Sequence, residues 1–214
     1  MYNPEPFAED QVDVMHAFLR RHPLATVVTC GINGPEATHA PAMLHAETGP
    51  NGILRCHFAR ANGHWKSLRS SAALAIFQNR GHYVSPSWYP SRKEHGRVVP
   101  TWNYLAVHVR GIARVFEDPA EIVEHVRALT DFNERIFEKP WSVDDAPRDY
   151  IEALSRAIVG VEIPIDSIEG KWKVSQNRGE ADRRGVAEAL RRDGSASSRE
   201  MASFIEQRGF KEPQ

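Results

Sequence analysis

Nine consecutive residues, Gly170-Lys171-Trp172-Lys173-Val174-Ser175-Gln176-Asn177-Arg178, bring together two lysines, an arginine, a tryptophan and three neutral hydrogen-bonding side chains. Such a mixture can grip an anion, stack on a flat ring and hydrogen-bond the ring's edges. The competing reading is a solvated basic loop with one packed Trp. A second cluster, Ala59-Arg60-Ala61-Asn62-Gly63-His64-Trp65-Lys66-Ser67-Leu68, follows a strand-like run ending at Phe58. Asn62 can cap a helix beginning at Gly63, where free backbone N–H groups and a positive partial charge meet. Arg60 before the cap and Lys66 one turn inside add full charges, a combination suited to a phosphate group. Each charge-assisted hydrogen bond there contributes about 1.5–3 kcal/mol. An ordinary capped surface helix with scattered charges is the alternative.

A third cluster is Val99-Pro100-Thr101-Trp102-Asn103-Tyr104. Trp102 can pack on a planar ligand while Asn103 offers a donor and an acceptor; equally, Trp102 can simply close the end of a core. Tyr83, Ser85, Trp88 and Tyr89 belong to a long turn-rich stretch, placed either to cover a pocket or to form an oligomer contact. The sequence has no GxSxG motif and no triad-like context for its serines and histidines. No catalytic residue is singled out, so any difficult chemistry would belong to a cofactor. The ten histidines include no HExxH pair and no His/Cys group at ligand spacing. His39, His45 and His57 alternate with apolar residues and are expected on polar strand faces, so no metal site is assigned.

These clusters need elements to hold them. Residues 11–22 predict a short amphipathic helix with Val14, Phe18 and Leu19 on one face, ended by Pro23. Leu24–Cys30 reads as a strand, Gly31-Ile32-Asn33-Gly34 as a turn, and Thr38–Leu44 as the returning partner. After a second turn at Gly49-Pro50-Asn51-Gly52, Ile53–Phe58 alternates cleanly, with Leu54, Cys56 and Phe58 on one face. Further strands are expected at Ala73–Gln78 and, as one long run, Tyr104–Phe116. The stretch from Ser85 to Pro100 is long enough to suggest a functional loop. Asp118-Pro119-Ala120-Glu121 is a helix start with an Asp cap, and Ile122, Val126, Leu129 and Ile136 follow at helical spacing. A second helix is expected at Arg148–Ala157, a final barrel strand at Val159–Ile165, and tail helices near Asp182–Arg192 and Ser198–Arg208. Ser197 and Glu200 stand in capping-box register for the last of these. Many short strands followed by helices predict an α+β protein, mainly antiparallel β, in the form of a barrel or sandwich with peripheral helices. No GxGxxG or GxxxxGK[ST] supports a dinucleotide or P-loop architecture.

The chain of 214 residues carries 27 Lys/Arg against 28 Asp/Glu, a formal net charge of -1. That balance lacks the basic excess of a dedicated DNA-binding domain. From Lys171 to Gln214 there are ten Lys/Arg and seven Asp/Glu, a mild local attraction for phosphate at most. The opening residues lack a signal-peptide pattern and no apolar run reaches membrane-spanning length, which predicts a cytoplasmic protein with no membrane partner. Cys30 and Cys56 read as reduced packing residues.

Taken in order, Met1-Tyr2-Asn3-Pro4 with Phe7, the HFARANGHW stretch ending at Trp65, Tyr83–Tyr89, VPTWNY to Tyr104 and GKWKVSQNR from Gly170 resemble the PaiB-type FMN-binding negative transcriptional regulators. The resemblance implies a split β-barrel, related to pyridoxamine-phosphate oxidase and flavin-reductase-like proteins, assembled as a homodimer with FMN at the subunit interface. It implies a split-barrel domain over residues 1–170 and a helical extension over 171–214, packed on the barrel or on the partner subunit. It implies FMN as cofactor, with Arg60, Asn62 and Lys66 near its phosphate. Trp102 and Asn103 would lie near the flavin or the dimer seam, and Lys173, Gln176 and Asn177 would reach the cofactor from the C-terminal segment. The function implied is negative regulation of transcription, with direct or indirect DNA contact, in a binding protein rather than a dedicated enzyme. The alternative is a flavin-dependent oxidoreductase of the same superfamily with an unknown substrate.

Overall fold

The structure, a computed structural model, describes residues 1–31 and 34–209. Its elements run β1 (Ala8–Glu9), α1 (Val12–Arg21), β2 (Leu24–Gly31), β3 (Gly34–Pro41), β4 (Met43–His45), β5 (Ile53–Ala59), α2 (His64–Ser67), β6 (Ala72–Gln78), β7 (His82–Val84), α3 (Ser91–His95) and β8 (Thr101–Ile112). They continue with β9 (Arg114–Phe116), α4 (Pro119–Glu134), α5 (Arg148–Arg156), β10 (Ile158–Pro164), β11 (Ser167–Lys173), α6 (Glu180–Asp193) and α7 (Ala196–Gly209). Two compact units share the chain, one made of Met1–Gln11, Gln78–Val107 and Glu169–Gln214, the other of Val12–Phe77 and His108–Ile168. β8 supplies residues to both, and the expected boundary after residue 170 falls inside β11.

In the second unit, β2 pairs with β3 and β6, and a separate sheet runs β4-β5-β10-β9; every pairing is antiparallel. The period-2 pattern of β5 buries Leu54, Cys56 and Phe58. β10 is buried almost throughout, Val159 to Ile163, as expected of a strand covered on both faces. Burial pushes the Cys56 thiol up to about 12, so it is an inert packing group. Cys30, by contrast, is exposed, which corrects its reading as a packing residue. α1 buries Met15, Phe18 and Leu19, while Val14 is half-buried. α4 starts as its sequence requires: the Asp118 carboxylate accepts the N–H groups of Ala120 and Glu121.

Several expected boundaries move. The returning strand expected at Thr38–Leu44 is two strands, β3 on β2 and β4 on β5, broken at Ala42. The turn expected at Gly31–Gly34 includes Ile32 and Asn33, which lie outside the described residues. The long run Tyr104–Phe116 breaks at Ala113, where backbone bonds with Ser70 and Ser71 replace the ladder, and β9 then pairs with β10. Ile136 lies beyond the end of α4 and is 78% exposed, not on its buried face. Ser195, not Ser197, caps α7 through its Oγ to the Ser198 N–H at 3.1 Å. β10 is not the final strand, because β11 follows.

Glycine has a packing role at Gly160, which faces Phe116 across the β10–β9 ladder. A Cβ there would sit 2.1 Å from the Phe116 ring. Gly160→Ala is expected to cost about 1–3 kcal/mol by displacing that ring, read as a lower urea midpoint at unchanged m-value. An unchanged midpoint would show that the ring can move aside freely.

In the first unit, β11 lies between β1 and β8, and β7 pairs with β8. Trp172, Val174, Val186, Leu190, Met201 and Ile205 are buried. α6 packs closely on the turn at Pro86–Trp88, where a Cβ at Gly185 would meet the Trp88 carbonyl at 2.1 Å.

Candidate functional site

The turn after β5 is built upon the β2–β3 hairpin. His64, 3% exposed, bonds Thr29 Oγ1 through Nε2 and Thr38 Oγ1 through Nδ1, each at 2.8 Å. Burial holds its pKa below the usual imidazole value, against the opposing charge of Glu36. Asn62 donates to Thr38 Oγ1 at 3.0 Å and accepts the His64 N–H at 3.2 Å, so it caps the turn from one residue before Gly63. Ser67 donates to Glu36 at 2.6 Å. The result is a fixed turn with open space over Gly63, where an added Cβ would meet no atom within 4 Å. α2 is a single turn of four residues, so local N–H groups and side-chain charges matter here more than any helix dipole.

The cations of this turn differ in availability. Arg60 is committed: its guanidinium donates to Glu117 at 2.6 Å and to the carbonyls of Arg156 and Ile158. Arg69 also pairs with Glu117. Lys66 is exposed, lies 5.8 Å from the Trp65 ring centroid, and has no carboxylate partner among the described residues.

In the first unit, three of the expected residues meet in one cleft of about 90 Å³, where Asn103, Lys173 and Asn177 join Tyr89, Thr101, Ser175 and Arg178. Asn103, fully buried, exchanges hydrogen bonds with the Ser175 hydroxyl at 2.9 and 3.2 Å. Ser175 has φ +62°, a left-handed conformation uncommon for a residue with a side chain. Gln176 holds that turn by accepting the Val174 N–H at 2.8 Å and donating to the Trp172 carbonyl. Its amide is thus spent on its own loop. Lys173 Nζ donates to Thr101 Oγ1 and, at 3.0 Å, to the Trp102 carbonyl. Burial, then Lys171 and Arg178, hold the Lys173 pKa below the usual amine value. The Trp102 indole is 56% exposed and stands edge-on to Tyr83 with centroids 6.0 Å apart.

In the sequence, His64 has no role of its own and Tyr89 stands only in a stretch set either to cover a pocket or to form an oligomer contact. Tyr89 is 2% exposed and Arg178 stands 5.1 Å over its ring. Neither residue carries a local signal beyond its type, because both acquire their roles from partners distant in sequence. A larger groove of about 740 Å³ lies between α4 and α5. Its Arg127 and Arg148 are already paired with Asp144 and Glu152. Among the described residues no group of His, Cys, Asp and Glu is arranged to hold a metal ion, and no helix is long and apolar enough to cross a membrane.

Two antiparallel sheet systems accompanied by helices make this an α+β split β-barrel. The same fold occurs in the FAD and heme binding protein from Mycobacterium smegmatis, at TM-score 0.55 and 17% identity over 78% of this chain and 73% of that one. It also occurs in the flavocytochrome Anf3 from Azotobacter vinelandii, at TM-score 0.54 and 17% identity over 78% and 69%. The chain belongs to the family described as "Putative FMN-binding domain", whose model matches residues 1–167. It is 31% identical over 207 residues to protease synthase and sporulation protein PAI 2 of Bacillus subtilis, covering 96% of this chain and 97% of that protein. An uncharacterized protein of Emericella nidulans is 31% identical over 246 residues, covering 98% of each chain.

Proposed function

We propose that this chain binds FMN and acts as a cytoplasmic, homodimeric negative regulator of transcription. The observation that carries the flavin reading is the fixed turn at Asn62–Lys66 inside the matched family region. There an unpaired lysine and open backbone at Gly63 suit the phosphate of FMN. Asn62 and His64 fix the backbone, Lys66 supplies the charge, and Arg60 braces the turn through Glu117. When bound, FMN would supply a redox-active ring, while Asn62, His64 and Lys66 would hold its phosphate. Regulation is supported by the name of the Bacillus relative, which ties that protein to protease synthesis and sporulation.

Titration of the cofactor-free protein with FMN, followed by flavin fluorescence, tests this. Lys66→Ala is expected to weaken binding about tenfold, the loss of one charge-assisted hydrogen bond. No binding at high micromolar FMN sinks the flavin reading, and unchanged affinity in the variant places the phosphate elsewhere. A gel-shift assay with competitor DNA at several salt concentrations separates direct operator contact from action through another protein. Bleaching of bound flavin by NAD(P)H would instead support a flavin-dependent oxidoreductase.

A further inference from the structure

We propose that the cleft between Tyr89, Lys173 and Arg178 is a binding site for a small tetrahedral oxyanion, a phosphate or sulfate group, built within one chain and separate from the Asn62–Lys66 turn. Its volume of about 90 Å³ compares with the roughly 30 Å³ that one water occupies in the liquid. It therefore has room for a phosphate group, whereas ligands of flavin size occupy pockets of about 300–1,000 Å³.

The lining is donor-rich. Lys173 spends two N–H groups on Thr101 and the Trp102 carbonyl, which aim the ammonium and leave a third donor. Arg178 stands 5.1 Å over the Tyr89 ring and has no carboxylate within ion-pair distance among the described residues. The Tyr89 hydroxyl is buried beside the Arg178 guanidinium, which interacts with it and offsets part of the upward pKa push of burial, and it has no further hydrogen-bond partner; a ligand oxygen would supply one. Asn177 adds a side-chain amide at the rim. The nearby carboxylate that acts on Tyr89, Asp182, is engaged by the Ser91 N–H at 3.1 Å and the Ser91 hydroxyl at 2.7 Å.

The backbone is also organised around the cleft. Ser175 is held in its left-handed conformation by the Asn103 and Gln176 contacts. A residue kept in a sparsely populated region by surrounding bonds is frequent at ligand clamps. Two cations sharing a small cleft repel each other, and the Lys173 pKa is held down first by burial, then by Lys171 and by Arg178. A dianion between them converts that repulsion into two charge-assisted bonds. The inference rests on this cleft alone and does not depend on flavin binding.

The test uses inorganic phosphate, titrated calorimetrically into the full chain carrying Lys66→Ala, so that the turn after β5 does not contribute. Phosphate is expected to bind. Arg178→Gln should weaken it about tenfold or more, and Tyr89→Phe, which keeps the ring and removes only the hydroxyl, about fivefold. Undetectable phosphate and sulfate binding, or wild-type affinity in a folded Tyr89→Phe and Arg178→Gln, overturns the proposal. Competition then assigns the source. Displacement of phosphate by FMN but not by riboflavin identifies the group as the cofactor's own phosphate. Simultaneous binding of FMN and phosphate identifies a second, phosphorylated or sulfated ligand.

Discussion

Glu162→Ala is expected to destabilise the fold by about 3–5 kcal/mol, the range for removing one partner of a buried ion pair. Glu162 sits in the middle of β10 with its side chain 9% exposed. One carboxylate oxygen accepts from Arg55 at 2.6 and 2.7 Å, and the other from Arg114 at 3.1 Å. Glu121 of α4 closes the square, 3.0 Å from Arg55 and 3.3 Å from Arg114. Two carboxylates and two guanidiniums balance, so the cluster is neutral as a whole. Without Glu162, Arg55 keeps one acidic partner, with its side chain 23% exposed and its guanidinium over the Phe116 ring. Arg114 is 55% exposed and turns to water, so its share of the loss is small. Most of the cost is therefore Arg55 left under-compensated. Urea denaturation should show a lower midpoint at unchanged m-value. A loss below about 1 kcal/mol would mean that solvent already screens the square as it screens surface pairs. Arg55→Met in the Glu162→Ala background should recover part of the loss, because the stranded charge is gone.

The square shows why some of this molecule is legible from sequence and some is not. The alternation of Leu54, Cys56 and Phe58 and the Asp118 cap are local patterns, and the structure follows them closely. What Arg55 does is not local, since its partners lie 66 and 107 residues away. The same holds for the candidate sites. Arg60, Lys66, Lys173 and Arg178 are equivalent cations in the sequence. Only folding engages Arg60 with Glu117, leaves Lys66 open and places Arg178 over Tyr89. Gln176 reads as a ligand-facing amide but stitches its own loop. The break at Ala113 is invisible for a related reason: residues 104–116 keep a strand-like pattern throughout. The change of sheet comes from Ser70 and Ser71 bonding Ala113, and from Gly111, where a Cβ would collide with the Pro164 carbonyl. Periodicity fixes which face is buried and says little about which neighbour buries it.

Acidification from neutral pH to about pH 4 is expected to remove on the order of 3 kcal/mol of stability through His125 alone. His125 is on the buried face of α4 between Ile122 and Leu129, 2% exposed, with its Nε2 3.2 Å from His57 Nδ1. Burial first, then the charges available to His57, Arg55 and His45, pushes its pKa from 6.5 to about 4. The sign follows from comparing the two states. Below pH 6.5 the unfolded chain takes up a proton at this residue, while the folded chain refuses it until about pH 4. Stability is therefore complete above pH 6.5 and falls steadily through that window, at about 1.4 kcal/mol per pKa unit of difference. His57 and His45 are also held below the usual imidazole value, chiefly by burial, and steepen the slope. Glu162 and Glu124 oppose this at His45, after the larger effects of burial and Arg55. One proton can bridge His57 and His125, but a second would set N–H against N–H in a site that already holds Arg55. Urea midpoints measured between pH 7 and pH 4 should decline in the wild type. In His125→Gln, which cannot take up a proton, the decline should be visibly shallower even if stability at pH 7 is lower. Parallel profiles would show that the acid sensitivity in this window resides in other groups.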